Sequence, residues 1–260
     1  MAEQTNIQKP AAPAPKKENK GVSSNVGGVK NASIVILICF VVAVCFFIFV
    51  LGNGSNFKDG SNANAPLNLA GTIYKGGFIV PILQTLFLTV IVLSVERWIA
   101  LSKASGSGSI AKFVANVKKE LAAKNIDGAE ELCKKQKGTV GAVVYSTIQK
   151  YKEMDKNELL PKEQKLSLIQ GQLEEATSLE MPALQQNLPI VATLTTLGTL
   201  IGLLGTVIGM IKSFQALSAS GAPDSTELST GISEALINTA FGIATAAFAL
   251  IAYNFYTNKI

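Results

Sequence analysis

Residues 202–212 read GLLGTVIGMIK and lie in a stretch with no charged residue between Glu180 and Lys212. Three glycines and one threonine fall within its first eight positions. Glycine is a weak helix former in water, and a hydroxyl is costly in hydrocarbon unless it donates a hydrogen bond. This combination of glycines and a threonine predicts a membrane helix that packs closely against a neighbouring helix and whose polar groups have a structural or functional role.

The whole chain has the composition of a membrane protein. Of its 260 residues, 48% are hydrophobic and only 16% are charged, against about 25% charged in a soluble domain. Arg97 is the single arginine, and the absence of a basic stripe argues against nucleic-acid binding. The chain has no histidine, and neither a disulfide framework nor a zinc site is predicted from Cys39, Cys45 and Cys133. No cofactor and no metal is expected.

Apolar stretches predict an all-α integral membrane protein with four transmembrane helices. The first, Ile34–Leu51, is longer than the core of a signal peptide, so we interpret it as a retained anchor and not a cleaved signal. The predicted organisation is a flexible tail at 1–33, spans at 34–51, 76–101, 187–211 and 231–257, periplasmic connections at 52–75 and 212–230, a cytoplasmic helical domain at 102–186 and a cytoplasmic end at 258–260.

The distribution of lysines predicts the orientation. Residues 102–186 carry thirteen lysines and residues 1–33 carry five, whereas residues 213–230 carry none. We therefore expect the N-terminus and the long segment in the cytoplasm. Helical spacing of apolar residues predicts helices in that segment, including one long helix that runs past Pro182 and Pro189 into the third span.

The third span has one polar face. On a helical wheel at about 100° per residue, an arc of about 80° holds five small or hydroxylated residues. They are Thr195, Thr199, Gly202, Thr206 and Gly209. Two interpretations remain open: tight packing through the pairs Gly198-xxx-Gly202 and Gly205-xxx-Gly209, with threonines bonded to their own backbone, or the wall of a pore.

The fourth span contains one ionisable residue, Glu234, with Asn238 and Thr245 on its side of the wheel. Thr239 points about 140° away from Glu234. Ionisable groups in membrane helices usually face a bundle interior or a water-filled cavity. Alternatively, Glu234 lies near the outer interface and reaches into water.

Two motifs resemble the MotA/TolQ/ExbB proton channel family: GLLGTVIGM, and SEALINTAFGIATAAFALIAYN after a short connection. The resemblance covers about residues 76–257 and is nearer to ExbB and TolQ than to the flagellar stator. It implies a homo-oligomer around a central pore, commonly a pentamer, in the bacterial inner membrane. It also implies a single-span partner with a membrane aspartate, similar to ExbD or TolR, and a TonB-like energy transducer. No enzymatic chemistry is implied.

The resemblance also assigns residues. Thr206 and Thr239 match the pore threonines of the last two spans, and Glu234 matches the acid of the second motif. Thr199 and Asn238 are predicted to line the pore with them. Glycines are predicted to serve helix packing and to leave room for the partner's helices: Gly198, Gly202, Gly205 and Gly209.

Three features depart from the family pattern: the extra span at 34–51, Asn238 in place of a small apolar residue, and Phe248 in place of a proline. The expected function is an ExbB-like subunit that uses the proton motive force to drive outer-membrane transport. A TolQ-like role in envelope maintenance and a non-conducting scaffold are the alternatives. Oxygen atoms of Thr, Asn and Glu side chains also leave sodium open as the ion.

Overall fold

The computed structural model describes residue 28 and residues 31–62, 64–219 and 225–260. Within these ranges the chain is helical and has no strand, apart from an isolated bridge between Phe57 and Pro66. Most of the predicted tail and part of the 212–230 connection lie outside the described residues. The helices are α1 (Ala32–Phe46, continued by a π-helical turn Phe47–Leu51), α2 (Leu69–Tyr74), α3 (Ile79–Ala104), α4 (Ile110–Ala122), α5 (Ile126–Gln136), α6 (Gly138–Asp155), α7 (Lys162–Gln185), α8 (Leu188–Ala219) and α9 (Ser225–Lys259).

Four helical stretches of the described chain are long and apolar enough to cross a membrane. They are Ala32–Leu51, Ile79–Ala104, Leu228–Lys259 and a stretch within Lys162–Gln215. The predicted all-α fold class with four membrane helices is therefore confirmed. At 1.5 Å per residue, the 32 residues of α8 and the 35 residues of α9 extend about 48 and 52 Å, well beyond a hydrocarbon core of about 30 Å.

Three of these helices share one apolar core. Val90 and Leu93 of α3 pack with Val191 and Leu194 of α8 and with Ala249 of α9. α8 and α9 make the most extensive contact in the molecule, and α1 packs against α3. α3 thus separates α1 from most of the α8–α9 pair.

The predicted continuous helix into the third span is interrupted. α7 ends at Gln185, and Asn187 adopts φ = 65° before α8 begins at Leu188. Pro189 has no N–H to donate to the carbonyl of Gln185, so the intrahelical hydrogen bond at this position is missing. Pro182, in contrast, lies inside α7. The expectation that both prolines only bend the helix is wrong for Pro189.

The helices α4, α5 and α6 form their own small core, which includes Phe113, Val117, Cys133 and Ile148. Across the surface of this core, Lys152 of α6 binds Asp127 at 2.6 Å and also contacts Glu130. Hydrogen bonds from Lys134 and Lys152 lower the pKa of Glu130 to about 2. Burial, with the nearby charge of Glu130, raises the pKa of Cys133 to about 11.

The connection between α1 and α3 is ordered by asparagine side chains. The amide of Asn56 donates to the carbonyl of Val50 at 2.8 Å, and the amide of Asn68 donates to Asn56 Oδ1 at 2.9 Å. Phe57 is buried at the edge of the Tyr74 ring. These contacts fasten the segment to the end of the first membrane helix.

Candidate ion pathway at the contact of the last two membrane helices

The glycines of α8 lie directly against α9. A Cβ atom at Gly202 would lie 3.0 Å from both the carbonyl oxygen of Asn238 and the Cα of Gly242. A Cβ atom at Gly198 would lie 3.1 Å from the carbonyl oxygen of Gly242, and one at Gly209 2.9 Å from the carbonyl oxygen of Gly231. Only residues without a side chain allow the two backbones to approach so closely.

The same contact corrects one expectation from the resemblance. The glycines Gly198, Gly202, Gly205 and Gly209 were expected to leave room for helices of another protein, but α9 of the same chain fills that space. At Gly205 a Cβ atom would overlap the Asn238 side chain, lying 2.8 Å from its Cγ atom. The packing role of these glycines is therefore within the chain.

Thr206 and Thr239 meet at this contact. Their hydroxyl oxygens are in direct contact, and both side chains are only half-buried. The Thr206 hydroxyl also lies 3.2 Å from the carbonyl oxygen of Gly202, and the Thr239 hydroxyl 3.2 Å from that of Ala235. Each hydroxyl has one proton and two lone pairs, so the pair can donate and accept at the edge of the helix pair.

Glu234 lies on another side of α9. Its side chain is 8% exposed and accepts a hydrogen bond from Lys212 Nζ at 2.7 Å, while the Lys212 side chain is 47% exposed. The carboxylate also lies next to Gly77, where an added Cβ atom would overlap it. Within one chain Glu234 thus links α9 to Lys212 of α8 and to the segment before α3.

Asn238 is fully buried between α3 and α8. Its Nδ2 donates to the carbonyl oxygen of Gly76 at 3.0 Å, and its Oδ1 has no hydrogen-bond partner among the described residues. This placement makes Asn238 a link between α9 and the segment before α3. Thr199, the other residue predicted to line a pore, is exposed on α8 and donates to the carbonyl of Thr195 at 3.4 Å.

Two partners in this arrangement were not singled out from the sequence: Lys212, as the cation for Glu234, and Gly76, as the acceptor for Asn238. Gly76 lies just before α3 and 162 residues before Asn238, and no periodicity links positions so far apart. Lys212 could have been found, because it is the only charged residue of 181–223 and a buried acid needs a partner.

A groove of about 380 Å³ opens at the other end of the same helix pair, lined by Leu188, Pro189 and Ala192 of α8 and by Tyr253 and Thr257 of α9. Leu188 precedes Thr206 by five helical turns at 3.6 residues per turn. Groove and threonine pair therefore lie on one face of α8. No cluster of three metal-binding side chains occurs among the residues that the structure describes.

The profile of the MotA/TolQ/ExbB proton channel family matches residues 137–260. The match covers slightly less than half of the chain, and this part of the chain is similar to that family. It contains both threonines, Glu234 and all four glycines of α8, so the whole contact described above lies inside the MotA/TolQ/ExbB region. α1 and α3 lie outside the matched residues.

Individual relatives carry names from two branches of the MotA/TolQ/ExbB family. The chain is 36% identical over 86 residues to the biopolymer transport protein ExbB-like 3 of Synechocystis sp., covering 32% of this chain and 41% of the relative. It is 39% identical over 79 residues to the Tol-Pal system protein TolQ of Haemophilus influenzae, covering 30% and 35%. It is 40% identical over 76 residues to the biopolymer transport protein ExbB of Helicobacter pylori, covering 29% and 52%. The chain thus spans between a third and about half of the length of these relatives.

Proposed function

We propose that this chain is the proton-conducting subunit of an energy-transducing complex in the bacterial inner membrane. In this proposal several copies, five in the arrangement implied by the family, surround a central lumen. A single-span protein with a membrane aspartate, similar to ExbD or TolR, occupies that lumen. Proton flow then drives a TonB-like transducer toward the outer membrane.

The contact of Thr206 with Thr239 carries this proposal. Two hydroxyls from neighbouring helices meet at the surface of a pair whose backbones approach most closely at glycines. In hydrocarbon an unnecessary hydroxyl pair is costly, whereas beside a proton-carrying carboxylate it supplies both a donor and an acceptor. Because both side chains are half-buried in one chain, another molecule can reach them.

The groove at the far end of the helix pair supports the same route. Its lining includes Tyr253 and Thr257, and it lies about 27 Å along α8 from Thr206 at 1.5 Å per residue. Water in this groove would shorten the path between the threonine pair and the cytoplasm without completing it. Glu234 would then act at the opposite end, where its pair with Lys212 fastens α8 to α9.

A non-conducting scaffold is the second candidate, and one observation favours it. Each hydroxyl of the pair also lies within hydrogen-bond distance of a carbonyl of its own helix. Such bonds satisfy a threonine in a membrane without any ion. In the scaffold the hydroxyls would have no role beyond packing.

Proton flux into liposomes decides between the two. The protein would be reconstituted with its single-span partner, and a pH-sensitive dye trapped inside the liposomes would report the internal pH. We expect Thr206→Val and Thr239→Val each to reduce flux by about tenfold or more while assembly is unchanged, and Thr206→Ser to retain most of it. Thr196→Val is the matched control, since Thr196 is exposed on α8 and bonds its own helix.

Unchanged flux in both valine variants would establish the scaffold and contradict the proposal.

A sodium gradient at constant pH, followed with a sodium-sensitive dye, tests whether the conducted ion is sodium. Glu234→Gln removes the ion pair with Lys212 and is expected to weaken energised uptake in cells. Co-purified partners would separate an ExbB-like role in uptake from a TolQ-like role in envelope maintenance.

A further inference from the structure

Arg97 lies at the cytoplasmic end of α3 and has no exposed side-chain surface. Its Nε donates to Glu96 Oε2 at 2.6 Å, and Nη2 contacts the other oxygen of the same carboxylate. Its Nη1 lies 3.3 Å from the carbonyl oxygens of both Ala183 and Leu184, in the last turn of α7. The guanidinium therefore joins α3 to α7 just before the interruption between α7 and α8.

The end of α7 needs such a donor. The last four carbonyls of a helix have no intrahelical partner, and Pro189 cannot supply an N–H to the carbonyl of Gln185. Guanidinium is suited to this place because its planar fork serves one carboxylate and further acceptors at once, which an ammonium group does not.

Other groups converge on the same point. Asn187 Nδ2 lies 3.5 Å from Glu96 Oε2. A Cβ atom at Gly28 would overlap the Arg97 guanidinium and would lie 2.7 Å from the side-chain oxygens of Gln186 and Glu96. Gly28, which precedes α1, therefore lies at the joint between α7 and α8. Burying the Arg97 guanidinium without these hydrogen-bond partners would be strongly unfavourable.

We propose that Arg97 is a positioning residue that fixes the α7–α8 joint against α3 and thereby sets the position of Thr206 along α8. Because Thr206 lies eighteen positions after Leu188, the first residue of the helix that starts at this joint, a change at the joint moves the hydroxyl relative to α9. The claim about the joint stands on contacts alone; only its effect on conduction rests on the proposed function.

Disulfide cross-linking measures the joint directly. Ala100 of α3 and Ala183 of α7 pack in one small cluster, so Ala100→Cys with Ala183→Cys, in full-length protein whose Cys39, Cys45 and Cys133 are replaced by alanine, reports their proximity. We expect Arg97→Gln to reduce cross-link yield by about tenfold, the scale of losing hydrogen bonds to a charged group. Tyr256→Phe is the control, because it removes another bond to α3, at Ser94, and should leave the yield unchanged.

Conduction supplies the second readout. Arg97→Gln should reduce proton flux, and oxidation of the cysteine pair before reconstitution should restore it, since the disulfide replaces the positional contact. Flux that stays low after complete cross-linking would overturn the positioning role. If Arg97→Gln fails to fold, Arg97→Lys carries the test: it keeps a charge beside Glu96 but loses the fork, so the cross-link yield must fall.

An unchanged cross-link yield in the Arg97 variants overturns the proposal irrespective of conduction. A reduced yield with no proton flux even in the unmodified protein would support the joint and contradict the proposed function instead. The two failures are therefore distinguishable.

Discussion

The α8–α9 pair and helix α1 are both apolar enough to cross a membrane, yet they use their surfaces differently. α1 buries Ala32, Cys39 and Ala43 and exposes large side chains such as Leu37 and Phe40. The α8–α9 pair brings backbones together at glycines and keeps Thr206, Thr239 and Glu234 at or near the contact. Hydrophobicity alone is sufficient to anchor a helix, whereas polar groups inside a span are retained where contacts between helices use them.

The largest expected effect breaks the α8–α9 contact. Gly205→Leu would place side-chain atoms where the Asn238 Cβ lies, 2.5 Å from an added Cβ, and we expect a loss of about 3 kcal/mol in unfolding free energy. Thermal unfolding in detergent, followed by circular dichroism, measures it.

Gly171→Ala is the matched control, because no atom lies within 4 Å of an added Cβ on that face of α7. It is expected to stabilise the helix by up to about 1 kcal/mol. A Gly205→Leu protein as stable as the parent would contradict the close packing.

A smaller effect is expected at the link from α9 to α3. Asn238→Leu removes the hydrogen bond to the carbonyl of Gly76 and should cost about 1–3 kcal/mol, because that buried acceptor loses its donor. Thr245→Val, at another fully buried position of α9, should cost less, since its hydroxyl bonds the carbonyl of Phe241 in its own helix. Equal losses in the two variants would refute the importance of the interhelical bond.

A still smaller effect is expected where α1 touches α3. Ala43 is fully buried, so Ala43→Leu should push α1 outward at a cost of about 1 kcal/mol. The single tryptophan, Trp98, stacks on Phe255 across α3 and α9 and reports on the rest of the bundle. The thermal unfolding transition followed by Trp98 fluorescence should not shift in temperature. A shift would mean that α1 supports the α8–α9 pair.

The smallest effect is expected on the outer face of α1. Leu37 is 64% exposed, and Leu37→Val should change the unfolding free energy by less than about 0.5 kcal/mol. Thermal unfolding followed by circular dichroism or by Trp98 fluorescence will detect a larger change. A loss above 1 kcal/mol would indicate that a second copy covers this face, and α1 would then belong to the assembly contact.

The sequence was sufficient for the four spans, because long apolar runs have few alternatives in water. The polar stripe predicted one small, hydroxylated face on the third span and left its neighbour open; in the structure Thr206 of this face contacts α9. The stripe did not reveal that the glycines pack on the same chain, since a helical wheel describes one helix and not its neighbour. The resemblance to a family gave Thr206 and Thr239 as pore-lining residues, and their direct contact was not predicted.

Contacts distant in sequence were beyond prediction. Beside the interruption at Asn187, the carbonyl of Ala183 accepts a hydrogen bond from Arg97, which is 86 residues away. The connection 52–75 was predicted only as a link between spans, whereas Asn56 and Asn68 fasten it to the end of α1. The roles of Thr199, Asn238 and Glu234 in an ion pathway stay predictions.

The turn at Asp59 and Gly60 has a practical use. Both residues are exposed and have positive φ, and nothing lies within 4 Å of an added Cβ at Gly60. A short epitope inserted there should leave the fold intact. Antibody staining of spheroplasts, which admit antibodies only to the outer surface of the inner membrane, would then read the sidedness of the whole chain from this one loop.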